Sequence, residues 1–189
     1  MNLPNKLTIF RIILVPFFVC ALLAQNFPHH YLIAFFLFAI ASYTDHLDGK
    51  LARKYHLVTN FGKFLDPLAD KILVISALVC FVYLNLSNVW FVLLIIAREF
   101  MVTSIRLVAV DSGVVIAANI WGKAKTVSQL LAILIIMLLQ YANDLQVLPL
   151  SVEQCNFIGQ ILLGIATLFT IISGIIYLKE NWKVITLSK

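Results

Sequence analysis

The feature that most constrains this chain is a succession of long apolar runs separated by short polar connectors. Of its 189 residues, 62% are hydrophobic, whereas a soluble domain contains roughly 45–50% apolar residues. A helix that crosses a bilayer needs about 20 mostly apolar residues. Backbone groups that face lipid must hydrogen-bond within the protein, so only helices or a closed barrel can span the membrane. Because the apolar residues form continuous runs and do not alternate with polar residues, the sequence predicts helices.

The distribution of charge between these runs predicts their orientation. The connectors 25–30, 87–88 and 142–154 contain no Lys or Arg, whereas basic residues collect on the opposite side. Positively charged connectors stay in the cytoplasm, so we expect both termini to be cytoplasmic. This topology accounts for the net charge of +5, and nucleic acid is not an expected partner because the chain has no soluble basic patch. The six predicted spans are Leu7–Ala24, Tyr31–Lys54, Lys63–Leu86, Val89–Val110, Gly122–Tyr141 and Phe157–Leu178.

The predicted fold class is therefore an all-α integral membrane protein with six transmembrane helices. The segment 2–11 is expected to lie along the membrane surface as an N-terminal juxtamembrane segment before the chain turns inward. The sequence contains no internal repeat and no separate soluble region, so residues 1–189 are predicted to form one membrane domain.

Four aspartates interrupt the apolar pattern at one predicted depth. At about 1.5 Å per residue, Asp45 and Asp48 lie roughly 21 and 26 Å from the outer end of the second span. Counted in the same way along the third span, Asp70 and Asp66 lie roughly 24 and 30 Å from its outer end. All four approach the inner edge of a hydrocarbon core that is about 30 Å thick. The short connector 55–61 should make these two helices neighbours.

The spacing of the aspartates predicts that they converge. Asp45 and Asp48 are spaced i, i+3, and Asp66 and Asp70 are spaced i, i+4, so each pair shares a helix face. Clustered carboxylates repel one another unless they are protonated or neutralised by cations. Ligand sets made only of oxygen suit Mg²⁺, Mn²⁺ or Ca²⁺. Four carboxylates can hold two such ions, and a two-metal site is a common clamp on a phosphoryl group during in-line displacement.

Small residues and one arginine accompany the acidic stripes. Gly49 and Ala52 leave room for a ligand to approach the backbone of the second helix, and Gly62 does so on the third. Arg53 can bind a phosphate through two parallel hydrogen bonds. These residues predict a binding site for a phosphate-containing ligand beside the carboxylates.

A second group of polar residues indicates what kind of molecule would accept the phosphoryl group. Arg106 lies roughly 27 Å below Asn88, near the level of the aspartates. Arg98 lies near the midplane, while Lys123, Lys125 and Thr126 begin the fifth span on the same side. Cations beside a metal site favour an acceptor with its own phosphate, such as sn-glycerol 3-phosphate or an inositol phosphate. In the alternative interpretation, the two lysines are topology anchors and the midplane arginine pairs with a polar group inside the bundle.

The segment from Asp45 to Asp70 also resembles the signature of the CDP-alcohol phosphatidyltransferase family at all eight positions. The matching pattern is Asp45-x-x-Asp48-Gly49-x-x-Ala52-Arg53, eight further residues, and Gly62-x-x-x-Asp66-x-x-x-Asp70. The segments "NLPNKLTIFRI", "IIAREFMVTSIRLVA" and "GKAKT" resemble bacterial members of the family that use glycerol 3-phosphate. The resemblance implies a homodimer in the bacterial plasma membrane, with its active site on the cytoplasmic side.

The resemblance also implies a role for each signature residue. Asp45, Asp48 and Asp66 would be metal ligands for Mg²⁺ or Mn²⁺. Asp70 would complete the metal site and act as the general base toward the acceptor hydroxyl. The remaining signature residues would line the pocket for the cytidine diphosphate of CDP-diacylglycerol, the membrane lipid that donates the phosphatidyl group; they are Gly49, Ala52, Arg53 and Gly62.

Three alternatives remain open from the sequence. Within the family, a cardiolipin synthase would use phosphatidylglycerol as the acceptor and would need fewer cations. An inositol-phosphate transferase would need similar charges to those present here. A divalent-cation transporter could use the same carboxylates as a transit site, although such sites usually lie at the midplane between repeated halves of the protein.

Overall fold

The computed structural model describes residues 3–54, 60–111 and 119–182, and these residues form six α-helices. Within these helices, the structure describes the backbone but not the side chains of residues 3–4, 46–54, 60–64, 66–67 and 110–111. No strand occurs in the described ranges, which confirms the all-helical prediction. The helices are α1 (Leu3–Leu23), α2 (His30–Lys54), α3 (Asn60–Tyr83), α4 (Val89–Asp111), α5 (Ile120–Asp144) and α6 (Val152–Glu180).

Three of the described helices are long and apolar enough to cross a membrane by length and composition alone. They are α1, over Asn5–Leu23, together with α5 and α6. In α2 a shorter apolar stretch, His30–Asp45, precedes the charged residues. Arg98, Glu99 and Arg106 likewise interrupt the apolar sequence of α4. The structure is thus that of a helical membrane protein in which charged residues concentrate in particular helices.

The first helix begins earlier than the sequence predicts. It is continuous from Leu3, so residues that were expected to lie along the membrane surface form its first turns. Thr8 and Arg11 are completely buried in the bundle. Their burial explains the difference, because these polar side chains contact protein inside the fold and need no separate surface segment.

Helix α1 connects the two helices that carry the signature. It packs extensively against both α2 and α3, while α2 and α3 touch each other over a smaller area. The rings of Phe18 and Phe38 join α1 to α2 with their centroids 5.5 Å apart. On the other side of the bundle α6 packs against α4 and α5, and α5 packs against α2. Buried apolar residues from all six helices form one core, which includes Leu78, Ile95 and Leu163.

Side-chain caps define where α5 and α6 begin. Asn119 accepts a hydrogen bond from the backbone N–H of Gly122 over 2.8 Å, which satisfies an N–H that has no partner within the helix. Ser151 and Gln154 form a capping box at the start of α6. The α5 cap lies next to the end of α6, because Nδ2 of Asn119 also donates to Oε2 of Glu180 over 3.3 Å.

Candidate active site

The first signature aspartate pairs with a buried arginine of α1. Nη1 of Arg11 lies 2.7 Å from Oδ1 of Asp45, and the arginine side chain is fully buried while the carboxylate is 42% exposed. A buried guanidinium is costly without a counter-charge, so this ion pair fixes both side chains. Because the Asp45 carboxylate is partly exposed, a cation or substrate can reach it.

The last signature aspartate interacts with both acidic and basic residues. Asp70 is exposed on α3, and it interacts electrostatically with Asp45, Arg11, Lys125 and Glu99. The partners belong to α1, α2, α4 and α5. The fold therefore brings charged residues from five helices together around this carboxylate.

The other signature residues lie on helices whose backbone is described. Their spacing places Asp48 on the same face of α2 as Asp45, and Asp66 one turn before Asp70 on α3. Their side chains lie outside the described set, so the predicted convergence of all four carboxylates is not tested by the structure. The same applies to the predicted pocket for cytidine diphosphate, whose residues are Gly49, Ala52, Arg53 and Gly62.

The donor set fits the cations that the family resemblance implies. The signature offers only carboxylate oxygens, which are the ligands that Mg²⁺ and Mn²⁺ prefer. Asp45 and Asp70 present exposed carboxylates on neighbouring helices. Among the described side chains, no three His, Cys, Asp or Glu residues group closely enough to hold a metal. The complete predicted ligand set also requires Asp48 and Asp66, which are not among those side chains.

A buried ionic network lies next to Asp70. The carboxylate of Glu99 accepts hydrogen bonds from Lys125 on α5 and, over 3.1 Å, from Nη1 of Arg98. The side chains of these three residues are only 6–15% exposed. Lys71 donates to Thr103, whose hydroxyl donates to the backbone oxygen of Glu99 over 2.8 Å. The network joins α3, α4 and α5 behind the signature aspartates.

The residues predicted to bind the acceptor phosphate differ in their surroundings. Arg98 and Lys125 donate to protein groups within the network, whereas Arg106, Lys123 and Thr126 are exposed. The hydroxyl of Thr126 donates to the carbonyl oxygen of Gly122 in its own helix over 3.1 Å. Among the predicted cations of α4, Arg106 is thus the more accessible to a ligand.

Helices α1 and α6 also contribute residues that the sequence analysis did not assign to the site. Arg11 comes from α1, while Ser173 and Tyr177 of α6 contact Arg98 and Arg106. Periodicity shows that a polar residue lies on one side of a helix, but it does not reveal which distant helix that side contacts. The sequence did contain one signal for Arg11. It is an isolated arginine in a long apolar run, where an unpaired cation is costly and therefore indicates a partner on another helix.

The comparisons with known proteins agree with the signature. Residues 1–172 match the CDP-alcohol phosphatidyltransferase family. The chain is 42% identical to the CDP-diacylglycerol–glycerol-3-phosphate 3-phosphatidyltransferase of Bacillus subtilis, over 99% of this chain and 98% of the relative. It is 40% identical to the Haemophilus influenzae protein of the same name, over 94% and 92% of the two chains. A probable phosphatidylglycerophosphate synthase of Mycobacterium tuberculosis is 39% identical, over 93% and 79%. The chain belongs to the CDP-alcohol phosphatidyltransferase family.

Proposed function

We propose that this chain transfers the phosphatidyl group of CDP-diacylglycerol to sn-glycerol 3-phosphate, giving phosphatidylglycerophosphate and CMP. The observation that carries the proposal is the surroundings of Asp70, whose carboxylate interacts electrostatically both with Asp45 and with Lys125. An acidic site beside a basic cluster suits a diphosphate donor and an acceptor that has its own phosphate. The names of relatives that align over nearly the whole chain specify the same reaction.

The charge of the basic cluster supports a phosphorylated acceptor. Lys71, Arg98, Arg106 and Lys125 form a cluster of four positive charges, and the carboxylates of Glu99 and Asp70 interact with its two lysines. Cations inside a membrane protein are costly and usually serve a ligand or a pairing partner. Glu99 and Asp70 together compensate two of the four charges, and a phosphate dianion would compensate the other two. Serine or phosphatidylglycerol would leave more of this charge uncompensated.

The proposed chemistry assigns a role to each part of the signature. Asp45, Asp48, Asp66 and Asp70 would hold two divalent cations, Mg²⁺ or Mn²⁺, which when bound neutralise the diphosphate and the charge that develops on the leaving oxygen. The residues proposed to position the cytidine diphosphate are Gly49, Ala52 and Gly62, which leave room for the donor, and Arg53, which binds a phosphate.

Asp70 is proposed as the general base as well as the last ligand. Its carboxylate takes the proton of the acceptor hydroxyl while the hydroxyl oxygen bonds to the β-phosphorus of the donor. The bond between the β-phosphorus and the oxygen that bridges the two phosphates breaks, and CMP departs with that oxygen. The exposure of Asp70 and its electrostatic interaction with Lys125, a residue of the proposed acceptor site, support this role.

We further propose that all six helices span a bacterial plasma membrane, with both termini and the active site on the cytoplasmic side. The basic connectors support this orientation. Charged side chains are also less costly near the membrane–water interface, where the acyl chains of the donor can remain in lipid. The proposal also includes association as a homodimer, and this part is supported by the family resemblance alone.

An acceptor screen tests the proposed function. Purified protein is incubated with CDP-diacylglycerol in mixed micelles and Mg²⁺ or Mn²⁺, and CMP release is measured with one acceptor at a time. We expect sn-glycerol 3-phosphate to support turnover, whereas serine, inositol phosphate and phosphatidylglycerol do not. Preferential turnover with phosphatidylglycerol would identify a cardiolipin synthase, and preference for inositol phosphate would identify the other alternative. Mn²⁺ uptake into proteoliposomes without CMP release would instead support the transporter.

A further inference from the structure

We infer that Ser173 and Tyr177 of α6 are positioning residues that hold Arg98 and Arg106 of α4 for the phosphate of the acceptor. The inference rests on the proposed function, because it takes these two arginines as part of the acceptor site. It adds α6, which lies outside the signature, to the machinery that determines acceptor affinity.

Arg98 packs against α6 through a hydrogen bond to Ser173 and through close contact with Gly174, which has no side chain. Its Nη2 donates to Oγ of Ser173 over 2.6 Å, while Nη1 donates to Glu99. A Cβ atom added to Gly174 would lie only 3.0 Å from Cγ of Arg98 and 3.4 Å from Cε of Met101. The glycine therefore lets the aliphatic part of the arginine lie directly on the backbone of α6.

Arg106 is held through Nε, so the edge formed by its two terminal nitrogens is available to a ligand. Nε donates to Oη of Tyr177 over 3.3 Å, and the guanidinium carbon lies 5.6 Å from the centroid of the same ring, within the range of a cation–π contact. The tyrosine is 2% exposed, so packing fixes its ring. Arg106 is exposed, and within the described part of the chain its two terminal nitrogens have no hydrogen-bond partner. Those two nitrogens form the edge that binds a phosphate through paired hydrogen bonds.

The spacing on the two helices makes α6 suited to hold both arginines. Ser173 and Tyr177 are one turn apart, about 6 Å along the helix axis, and both are buried. Arg98 and Arg106 are separated by about 12 Å along α4, a distance that their long side chains can shorten. Because α6 also packs against α5, it is held firmly enough to fix the direction of both guanidinium groups.

Matched substitutions on α6 test the inference. Tyr177→Phe removes one hydroxyl and keeps the ring, and Tyr141→Phe removes a hydroxyl that contacts His29 in the turn before α2. Gly174→Ala places a methyl group against Arg98, while the methyl group of Gly164→Ala would approach its nearest neighbour, Cζ of Phe91, at an ordinary 3.6 Å. Steady-state kinetics with the intact protein in mixed micelles give separate KM values for glycerol 3-phosphate and CDP-diacylglycerol.

We expect Tyr177→Phe to raise the KM for glycerol 3-phosphate about tenfold, the scale of one lost hydrogen bond to a charged group. Gly174→Ala should also raise this KM, because its methyl group displaces Arg98. The KM for CDP-diacylglycerol should stay unchanged, and both control variants should behave as wild type. Parallel rises in both KM values, or a change in kcat alone, would indicate a structural role and overturn the inference.

The same experiment separates this inference from the proposed function. If the wild-type protein does not turn over glycerol 3-phosphate, the proposed function fails and the inference fails with it. If the wild type is active and the acceptor KM is unmoved in both test variants, only the inference is overturned. Should Gly174→Ala fail to fold, Tyr177→Phe decides the outcome because it deletes a single oxygen atom.

Discussion

The buried carboxylate of Glu99 gives the sharpest prediction about what holds the charged end of the bundle together. In the Glu99→Gln variant, Lys125 and Arg98 lose the counter-charge that they share while both remain buried. The amide of Gln can still accept a hydrogen bond, but it carries no charge. The two cations would then repel each other without compensation, so we expect the folded state to be strongly destabilised.

The size of the effect follows from the geometry. Nη1 of Arg98 lies 3.1 Å from Oε1 of Glu99, and at an effective dielectric constant near 20 that separation corresponds to about 5 kcal/mol of attraction. Desolvation of the charges offsets part of this attraction in the intact network. Removal of one partner of a buried pair costs about 3–5 kcal/mol, because it leaves the other charge buried and unpaired. We therefore expect Glu99→Gln to lower the free energy of unfolding by about 3 kcal/mol or more.

A double-mutant cycle provides the assay. Unfolding in detergent is followed by near-UV circular dichroism for Glu99→Gln, Lys125→Met and the double variant, with Glu153→Gln as an exposed control in the first turn of α6. The double variant should be destabilised by less than the sum of the two single changes, with a coupling energy of about 1.5 kcal/mol or more. The control should change stability by less than about 1 kcal/mol. A Glu99→Gln variant as stable as the control, or strictly additive effects, would refute the reasoning.

Three further predictions concern the reaction itself. Asp70→Asn should abolish CMP release while the protein stays folded and still binds CDP-diacylglycerol, and near-normal turnover would exclude Asp70 as the base. Arg106→Ala should raise the KM for glycerol 3-phosphate about tenfold or more, because it removes a charge-assisted contact, with little change in the KM for the lipid donor; the opposite ranking would exclude Arg106 from the acceptor site. Chelation by EDTA should abolish CMP release, and Mg²⁺ or Mn²⁺ should restore it, whereas activity that persists in EDTA would contradict a metal-dependent reaction.

The positions of the helices could be predicted because long apolar runs have few other stable structures. Predicted and observed ends agree to within a few residues for most of the six helices. The start of α1 was placed at Leu7 instead of Leu3 because the polar residues Asn5 and Lys6 precede the apolar run. The start of α6 was also placed too late, at Phe157, although Ser151 and Gln154 match the sequence pattern of a capping box.

The site could be predicted only to the level of helix faces. The spacing of Asp45 and Asp70 relative to their neighbours places each on a predicted stripe, and the structure brings these two within electrostatic range. The pairing of Asp45 with Arg11 joins residues 34 positions apart, and the contact between Arg98 and Ser173 joins residues 75 positions apart. Such contacts depend on which helices pack together, and helical periodicity in a single sequence contains no information about that choice.

The measurement that tests the central claim most directly is the stoichiometry and magnetic coupling of bound Mn²⁺, followed by electron paramagnetic resonance. If the carboxylates of α2 and α3 converge, each chain should bind two Mn²⁺ ions about 3.5–4 Å apart, and the pair should give a spin-coupled spectrum. Asp45→Asn and Asp66→Asn should each abolish the coupled signal. A single uncoupled ion per chain, or a coupled pair that both variants retain, would contradict the account.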